Sequence, residues 1–237
     1  MTIQAVAHRG YPRKYPENTL SSFQAAIELN FSHLELDVHL SKDGIPMVIH
    51  DHTIDRMTNG TGRVVDYTAA ELQQFTIAGT ERIPTLVEAL ALLKGKLRIN
   101  IELKQMGNMY PGLEEKVLQV IEEMDAIQDV VMTSFDFDAL EHMRTLSHDI
   151  PIGLITFSCS TAILDWSKSV NATFLSMHYG FVTERYVQLC QQQQIQLMVW
   201  TVNDKKVMEK FKHDPSILVC TDELEQWIET VHAATTA

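Results

Sequence analysis

The chain has 237 residues, 45% of them hydrophobic and 21% charged, and 19 Lys and Arg against 31 Asp and Glu leave a formal net charge of −12. A chain of this length buries roughly three-quarters of the surface that it exposes when unfolded, which excludes a mini-protein stapled by disulfides or structural metal. Ten Gly and seven Pro exclude a fibrous or low-complexity composition, and the acidic balance with no Lys/Arg-rich run excludes nucleic acid as a partner and a basic membrane-docking segment.

Cys159, Cys190 and Cys220 are odd in number, widely spaced and in no metal-ligand pattern. They read as small buried apolar residues in a reducing compartment. The N-terminal stretch has no basic segment followed by a long apolar one, and no run approaches the ~18 apolar residues of a membrane span. The expected location is the cytoplasm, without stable membrane insertion.

Along the chain, short apolar or β-branched runs alternate with segments of helical period. Strands are predicted at 3–7, 33–37, 97–102, 130–134, 152–155, 173–177, 195–200 and 217–221, and helices at 20–29, 86–93, 113–124, 137–146, 161–168, 183–193, 205–212 and 223–231. The helix at 113–124 is the clearest. Its Leu113, Val117, Val120, Ile121 and Met124 fall on one face, with Glu114, Glu115, Glu122 and Glu123 mostly on the other. Eight β-α pairs in one chain of this size predict an α/β fold of the TIM (β/α)8 barrel type, one domain spanning 1–237. About 45 residues separate the second strand from its helix where a handful is usual. Residues 40–85 are therefore an insertion. Its turn at Ser41-Lys42-Asp43-Gly44 and its extended run from Pro46 to His50 predict a hairpin over the barrel mouth.

Chemistry in such a barrel sits at the carboxyl ends of the strands. The first strand ends in His8-Arg9-Gly10. Period two puts Glu35, Asp37 and His39 on one face of the second strand, and Asn100, Glu102 and Lys104 on one face of the third. Glu35, Asp37 and Glu102 would converge in the mouth, where unpaired carboxylates repel and require a cation. All-oxygen ligation selects a hard divalent ion, Ca²⁺ or Mg²⁺. On spacing alone a salt-bridge cluster with Arg9 and Lys104 remains the alternative. His8 and His50 are the histidines placed to reach the cluster, as a proton-transferring pair near neutral pH; the other eight read as surface residues. Arg9, Lys104, two histidines and a hard cation suit an anion of spread charge, phosphate above others. No phosphate-binding glycine loop and no Gly-x-Ser-x-Gly occurs, so neither a nucleotide nor serine-hydrolase chemistry is suggested.

With these residues the sequence resembles the glycerophosphodiester phosphodiesterase family. The matching pieces run in family order: His8-Arg9-Gly10, Pro16-Glu17-Asn18-Thr19, Glu35-Leu36-Asp37-Val38, Lys42-Asp43-Gly44, Val48-Ile49-His50-Asp51, Ile54-Asp55-Arg56, Thr58-Asn59-Gly60-Thr61-Gly62, Glu102-Leu103-Lys104, Ser134-Phe135, Trp200-Thr201-Val202-Asn203 and Thr221-Asp222. The resemblance implies metal ligation by Glu35, Asp37 and Glu102, general acid/base catalysis by His8 and His50, phosphate held by Arg9 and Lys104, and Trp200 lining the glycerol or leaving-group side. The implied reaction is hydrolysis of a small-molecule glycerophosphodiester to glycerol 3-phosphate and an alcohol. The chain departs from the family pattern before its last strand and after Thr221-Asp222, a junction expected to lie away from the chemistry. A phospholipid-cleaving barrel would call for an exposed apolar or basic docking segment, and none is evident in the sequence. A non-catalytic barrel would lack a ligand or a histidine, and all are present.

Overall fold

The computed structural model describes residues 2–233. In chain order the elements are β1 (Ile3–His8), α1 (Leu20–Glu28), β2 (Phe31–Leu40), β3 (Pro46–Val48), α2 (Ala69–Leu72), α3 (Leu86–Leu93), β4 (Arg98–Leu103), α4 (Leu113–Glu123), β5 (Val130–Ser134), α5 (Phe137–Leu146), β6 (Ile152–Thr156), α6 (Thr161–Ser169), β7 (Phe174–His178), α7 (Glu184–Gln192), β8 (Gln196–Trp200), α8 (Lys205–Phe211), β9 (Ile217–Thr221) and α9 (Leu224–His232). Eight parallel strands close into a barrel in the order β1-β2-β4-β5-β6-β7-β8-β9, because β1 pairs with both β2 and β9. This is the TIM barrel expected from the sequence. Each predicted strand and helix is present, with β2 extending at both ends of its expected range.

Alternation along the strands sorts the side chains. Leu34, Leu36 and Val38 of β2 and Ile99, Ile101 and Leu103 of β4 face the helix layer and join one large core with Phe23, Leu86, Leu90 and Leu93. The opposite faces point into the barrel, where Val6, Val131, Phe174, Met198, Leu218 and Cys220 form a separate apolar cluster. Gly153 is required there, since a Cβ would lie 2.5 Å from the Phe174 carbonyl oxygen. Side chains that cap helix N-termini fix where the chain turns from mouth to outer ring. Thr19, Asp136, Ser160, Thr183 and Asp204 each accept a backbone N–H from the first turn of their helix, a contribution of about 1 kcal/mol apiece.

The insertion contains the expected hairpin and more. Beyond the end of β1, β3 occupies the free edge of β2 in antiparallel register, Val38 opposite Val48 and Leu40 opposite Pro46. The chain then folds over a small core of its own, Met47, Ile49, Ile54, Val64, Ala69, Leu72, Ile77 and Ile83, with α2 started by a Thr68–Glu71 capping box. Ile54 is fully buried here, so Ile54→Ala is expected to cost about 2–5 kcal/mol in urea unfolding. Because this core is separate from the barrel's, hydrogen exchange should accelerate first in residues 46–83 and leave the barrel strands protected. Among the described residues no helix is long and apolar enough to cross a membrane.

Candidate active site

The barrel brings the three carboxylates together. One oxygen from each of Glu35, Asp37 and Glu102 lies within 4.8 Å of the other two, and all three side chains are buried. The parallel register that sets Asp37 beside Glu102 makes this so. Asp37 Oδ2 accepts from Asn18 Nδ2 at 2.8 Å, and Arg9 Nε lies 3.3 Å from the same oxygen. Lys104 Nζ reaches Glu102 Oε1 at 2.7 Å and Asp37 Oδ1 at 3.4 Å. Glu35 Oε2 accepts the backbone N–H of Arg9 at 3.1 Å. That N–H is aimed by a left-handed turn at Arg9 (φ 54°) and Gly10 (φ 85°); a Cβ on Gly10 would lie 2.3 Å from Ser22 Oγ.

The salt-bridge alternative is thus partly realised and incomplete. Two cations serve three carboxylates; buried Glu35 Oε1 has no hydrogen-bond partner, and Asp37 Oδ1 has no hydrogen bond beyond its ion pair with Lys104. Burial first, then Asp37 and Glu102, pushes the Glu35 carboxyl well above its ordinary range; burial and Asp37 raise Glu102. Burial would also raise Asp37, but Lys104 and Arg9 together override it and hold this carboxyl low. An orphaned Glu35 oxygen beside a surplus of buried negative charge, in an all-oxygen donor set, fits a hard divalent cation.

Both sequence-predicted histidines are anchored through Nδ1 to a carboxylate, which fixes the ring and leaves Nε2 for chemistry. His8 Nδ1 sits 2.7 Å from Asp222 Oδ1. Asp222 is held in turn by Asn203, whose Nδ2 donates to Oδ2 at 2.7 Å and whose Oδ1 accepts the Asp222 N–H at 2.9 Å. His50 Nδ1 sits 2.6 Å from Asp51 Oδ1. Arg56 donates to Asp51 Oδ2 at 2.6 Å and to Glu17 Oε1 at 2.7 Å, and Arg9 Nη1 donates to that same Glu17 oxygen at 3.0 Å. This chain of charges ties the insertion to the barrel rim. Burial, with Lys104 and Arg9, lowers His50 below the usual imidazole range against the pull of Asp37 and Asp51.

His8, Arg9, Glu35, His50, Glu102, Lys104 and Trp200 line one cavity of about 140 Å³ at the carboxyl ends of the strands. A larger groove of about 590 Å³ between α7 and α8 carries none of the predicted site residues. On the side of the mouth away from the insertion, Trp200 meets Phe135 (5.8 Å), Phe157 (5.3 Å) and His178 (5.5 Å) between ring centroids. Phe157 is 60% and Phe181 51% exposed, so the apolar rim that the sequence did not reveal is present.

Two expectations are corrected. His39 is not on the surface. It is fully buried, and burial lowers its pKa to about 3. Glu114 does not face solvent with the other helix glutamates; it is buried and accepts from Gln105 Nε2 at 3.1 Å. Asp222, a matching residue to which the sequence reading gave no role, holds His8. Asp51, Arg56, Asn203 and Glu17 were missed as supports of the site. The pairing of β1 with β9, Ala7 beside Thr221, is the signal that would have put Asp222 next to His8.

A closed parallel barrel whose mouth combines a carboxylate triad, two anchored histidines and two cations is of the class that cleaves phosphoesters. Residues 8–226 match the model of the glycerophosphoryl diester phosphodiesterase family, and the chain belongs to that family. The glycerophosphodiester phosphodiesterase of Caldanaerobacter subterraneus subsp. tengcongensis is 35% identical over 242 residues, 98% of each chain. Human glycerophosphodiester phosphodiesterase 1 is 29% identical over 240 residues, 85% of this chain and 72% of the human one. Among solved structures, an Oleispira antarctica phosphodiesterase in complex with the product sn-glycerol-3-phosphate superposes with a TM-score of 0.89 at 26% identity, covering 98% of this chain and 97% of that one. The chain is accordingly an enzyme, a phosphoric diester hydrolase of the glycerophosphodiester phosphodiesterase type.

Proposed function

We propose that the chain hydrolyses glycerophosphodiesters to glycerol 3-phosphate and an alcohol at a divalent-cation site, with His8 and His50 as general acid and base. The observation that carries this reading is the placing of two Nδ1-anchored histidines in one cavity with the buried carboxylates. The product bound by the Oleispira relative supports the glycerol 3-phosphate side. Ca²⁺ or Mg²⁺ held by Glu35, Asp37 and Glu102 would supply fixed positive charge to the phosphoryl oxygens. Arg9 and Lys104 hold the remaining oxygens of the phosphate. One histidine takes, at Nε2, the proton of the attacking hydroxyl, whether of water or of the glycerol hydroxyl adjacent to the phosphoester. As the bond from phosphorus to the leaving oxygen breaks, the other gives its Nε2 proton to that oxygen. Attack by water gives glycerol 3-phosphate at once; attack by the glycerol hydroxyl gives a cyclic glycerol phosphodiester, which a water then opens to glycerol 3-phosphate with the two histidines exchanging roles. Trp200 covers the organic side of the substrate.

The test is glycerol 3-phosphate release from glycerophosphocholine and glycerophosphoethanolamine, with and without EDTA. Release from both, abolished by EDTA and restored by Ca²⁺ or Mg²⁺, is expected. Release indifferent to EDTA removes the metal from the reading, and no release from either removes the substrate class. The exposed rim of Phe157 and Phe181 favours a second reading, a lysophospholipid whose acyl chain crosses that rim; preferential turnover of lysophosphatidylcholine would replace the first reading with it. Three buried, unpaired cysteines support the cytoplasm as the place of action. The β2–β3 pairing and the Arg56–Glu17 tie support treating barrel and insertion as one domain.

A further inference from the structure

Behind His50 lies a buried polar chain that the reaction does not use directly. His39 Nε2 is 3.0 Å from the carbonyl oxygen of His50, His39 Nδ1 is 2.9 Å from Tyr110 Oη, and His52 Nδ1 is 3.1 Å from the same hydroxyl. The chemistry of the groups settles where each proton sits. A carbonyl can only accept, so the proton of His39 is on Nε2. His39 is enclosed, with no carboxylate bonded to it, so its ring is neutral and Nδ1 is an acceptor. The hydroxyl of Tyr110 therefore donates to His39, and its oxygen is left to accept from the Nδ1–H of His52. Each bond has one polarity, and the chain runs from His52 through Tyr110 and His39 to the backbone of His50.

Tyr110 is itself clamped. Its N–H donates to Gln105 Oε1 at 2.9 Å and its carbonyl accepts from Gln105 Nε2 at 3.0 Å, while Gln105 also holds Glu114 at the start of α4. The loop between β4 and α4 is thereby made rigid around a side chain that enters the insertion. His50 follows the short β3, and among the described residues its side chain hydrogen-bonds to Asp51 alone, which Arg56 holds in turn.

We propose that Tyr110, through His39, is a positioning residue that fixes the main chain of His50 and so sets where its Nε2 meets the substrate. This rests on the proton-transfer role given to His50 above. It makes the β4–α4 loop, next to Glu102 and Lys104 in the chain, part of the catalytic frame.

The test is a mutant cycle on the full-length, metal-loaded enzyme. Tyr110→Phe removes one oxygen and keeps the ring; kcat is expected to fall roughly ten- to hundred-fold, as for a reacting group displaced by a fraction of an ångström to an ångström, with KM little changed. In a His50→Ala background the same change should cost nothing further, whereas in a His8→Ala background its cost should multiply in full. His39→Gln, which keeps a donor for the carbonyl and an acceptor for the tyrosine, should retain most of kcat. Should Tyr110→Phe fail to fold, His52→Phe, at a half-buried position, is expected to show a smaller loss with the same dependence on His50. An undiminished effect of Tyr110→Phe in the His50→Ala background, or Tyr110→Phe as active as wild type, overturns the proposal. Full activity in His50→Ala alone overturns the acid/base reading and this proposal with it, so the two failures are told apart.

Discussion

Replacing either His8 or His50 by alanine is expected to lower kcat by roughly 10²–10⁴, the usual worth of a positioned proton donor or acceptor. The two histidines are equivalent in one respect, since each has a carboxylate on Nδ1; His8 Nε2 lies 3.9 Å from Glu35 Oε2. They differ in what holds that carboxylate. Asp222 is fixed by Asn203 at the ends of β8 and β9, within the barrel. Asp51 is fixed by Arg56 in the insertion, an element with its own core and therefore its own capacity to shift. Roles can be separated with a nitrophenyl phosphodiester, whose leaving group needs no proton. On that substrate the variant lacking the acid should recover most of its rate, and the variant lacking the base should remain impaired. Equal losses for both variants on both substrate types would mean that the histidines serve binding alone. Asp222→Asn provides a milder companion: it keeps the contact to His8 and removes its charge, so it should cost less than His8→Ala and on the same substrate.

The parts of this site that lie on strands were legible because a strand's period of two and a barrel's polarity constrain them. Once Leu34, Leu36 and Val38 are placed outward, Glu35 and Asp37 have no direction but inward, and the same holds for Glu102 beside Ile101 and Leu103. What supports them was hidden for a physical reason. His8 and Asp222 are 214 positions apart and meet only because β9 closes the barrel against β1, and Arg56 meets Glu17 only after the insertion has folded. Alternation placed His39 correctly on the face of Asp37. It could not show that β2 continues past the barrel, where Tyr110 covers the ring. Glu114 stands three and seven residues before the buried Val117 and Ile121, so its position on the helix borders the apolar face, and Gln105 supplies the donor that its burial requires.

Substituting Glu35 or Glu102 by glutamine is expected to abolish most activity while making the metal-free protein more stable than the metal-free wild type. The loss of activity follows from removing a ligand of a cation that contributes several kcal/mol to the transition state, when each ~1.4 kcal/mol is a factor of ten in rate. The gain in stability follows from the sign of the pKa shifts. Burial, reinforced by neighbouring carboxylates, raises Glu35 and Glu102 above their ordinary value of 4.5. A carboxyl raised in the folded state binds its proton more tightly there than in the unfolded chain. Its contribution to stability is therefore fully present below about pH 4.5 and is lost as the pH climbs through the folded value. In metal-free wild type these two carboxyls accordingly drive the Tm down as the pH climbs above about 4.5, while the lowered pKa values of His33, His39, His50 and His52 act the other way up to their ordinary 6.5. The carboxyl decline is therefore read as the difference between wild type and Glu35→Gln at each pH, and added Ca²⁺ or Mg²⁺ should restore the Tm by binding the folded state alone. In Glu35→Gln the decline should be shallower and the response to the ion largely gone. Thermal melts of both proteins, with EDTA and with each ion, decide the matter. A wild type whose Tm ignores the ions at neutral pH, with Glu35→Gln less stable than wild type in EDTA, would return the triad to a salt-bridge cluster completed by Arg9 and Lys104.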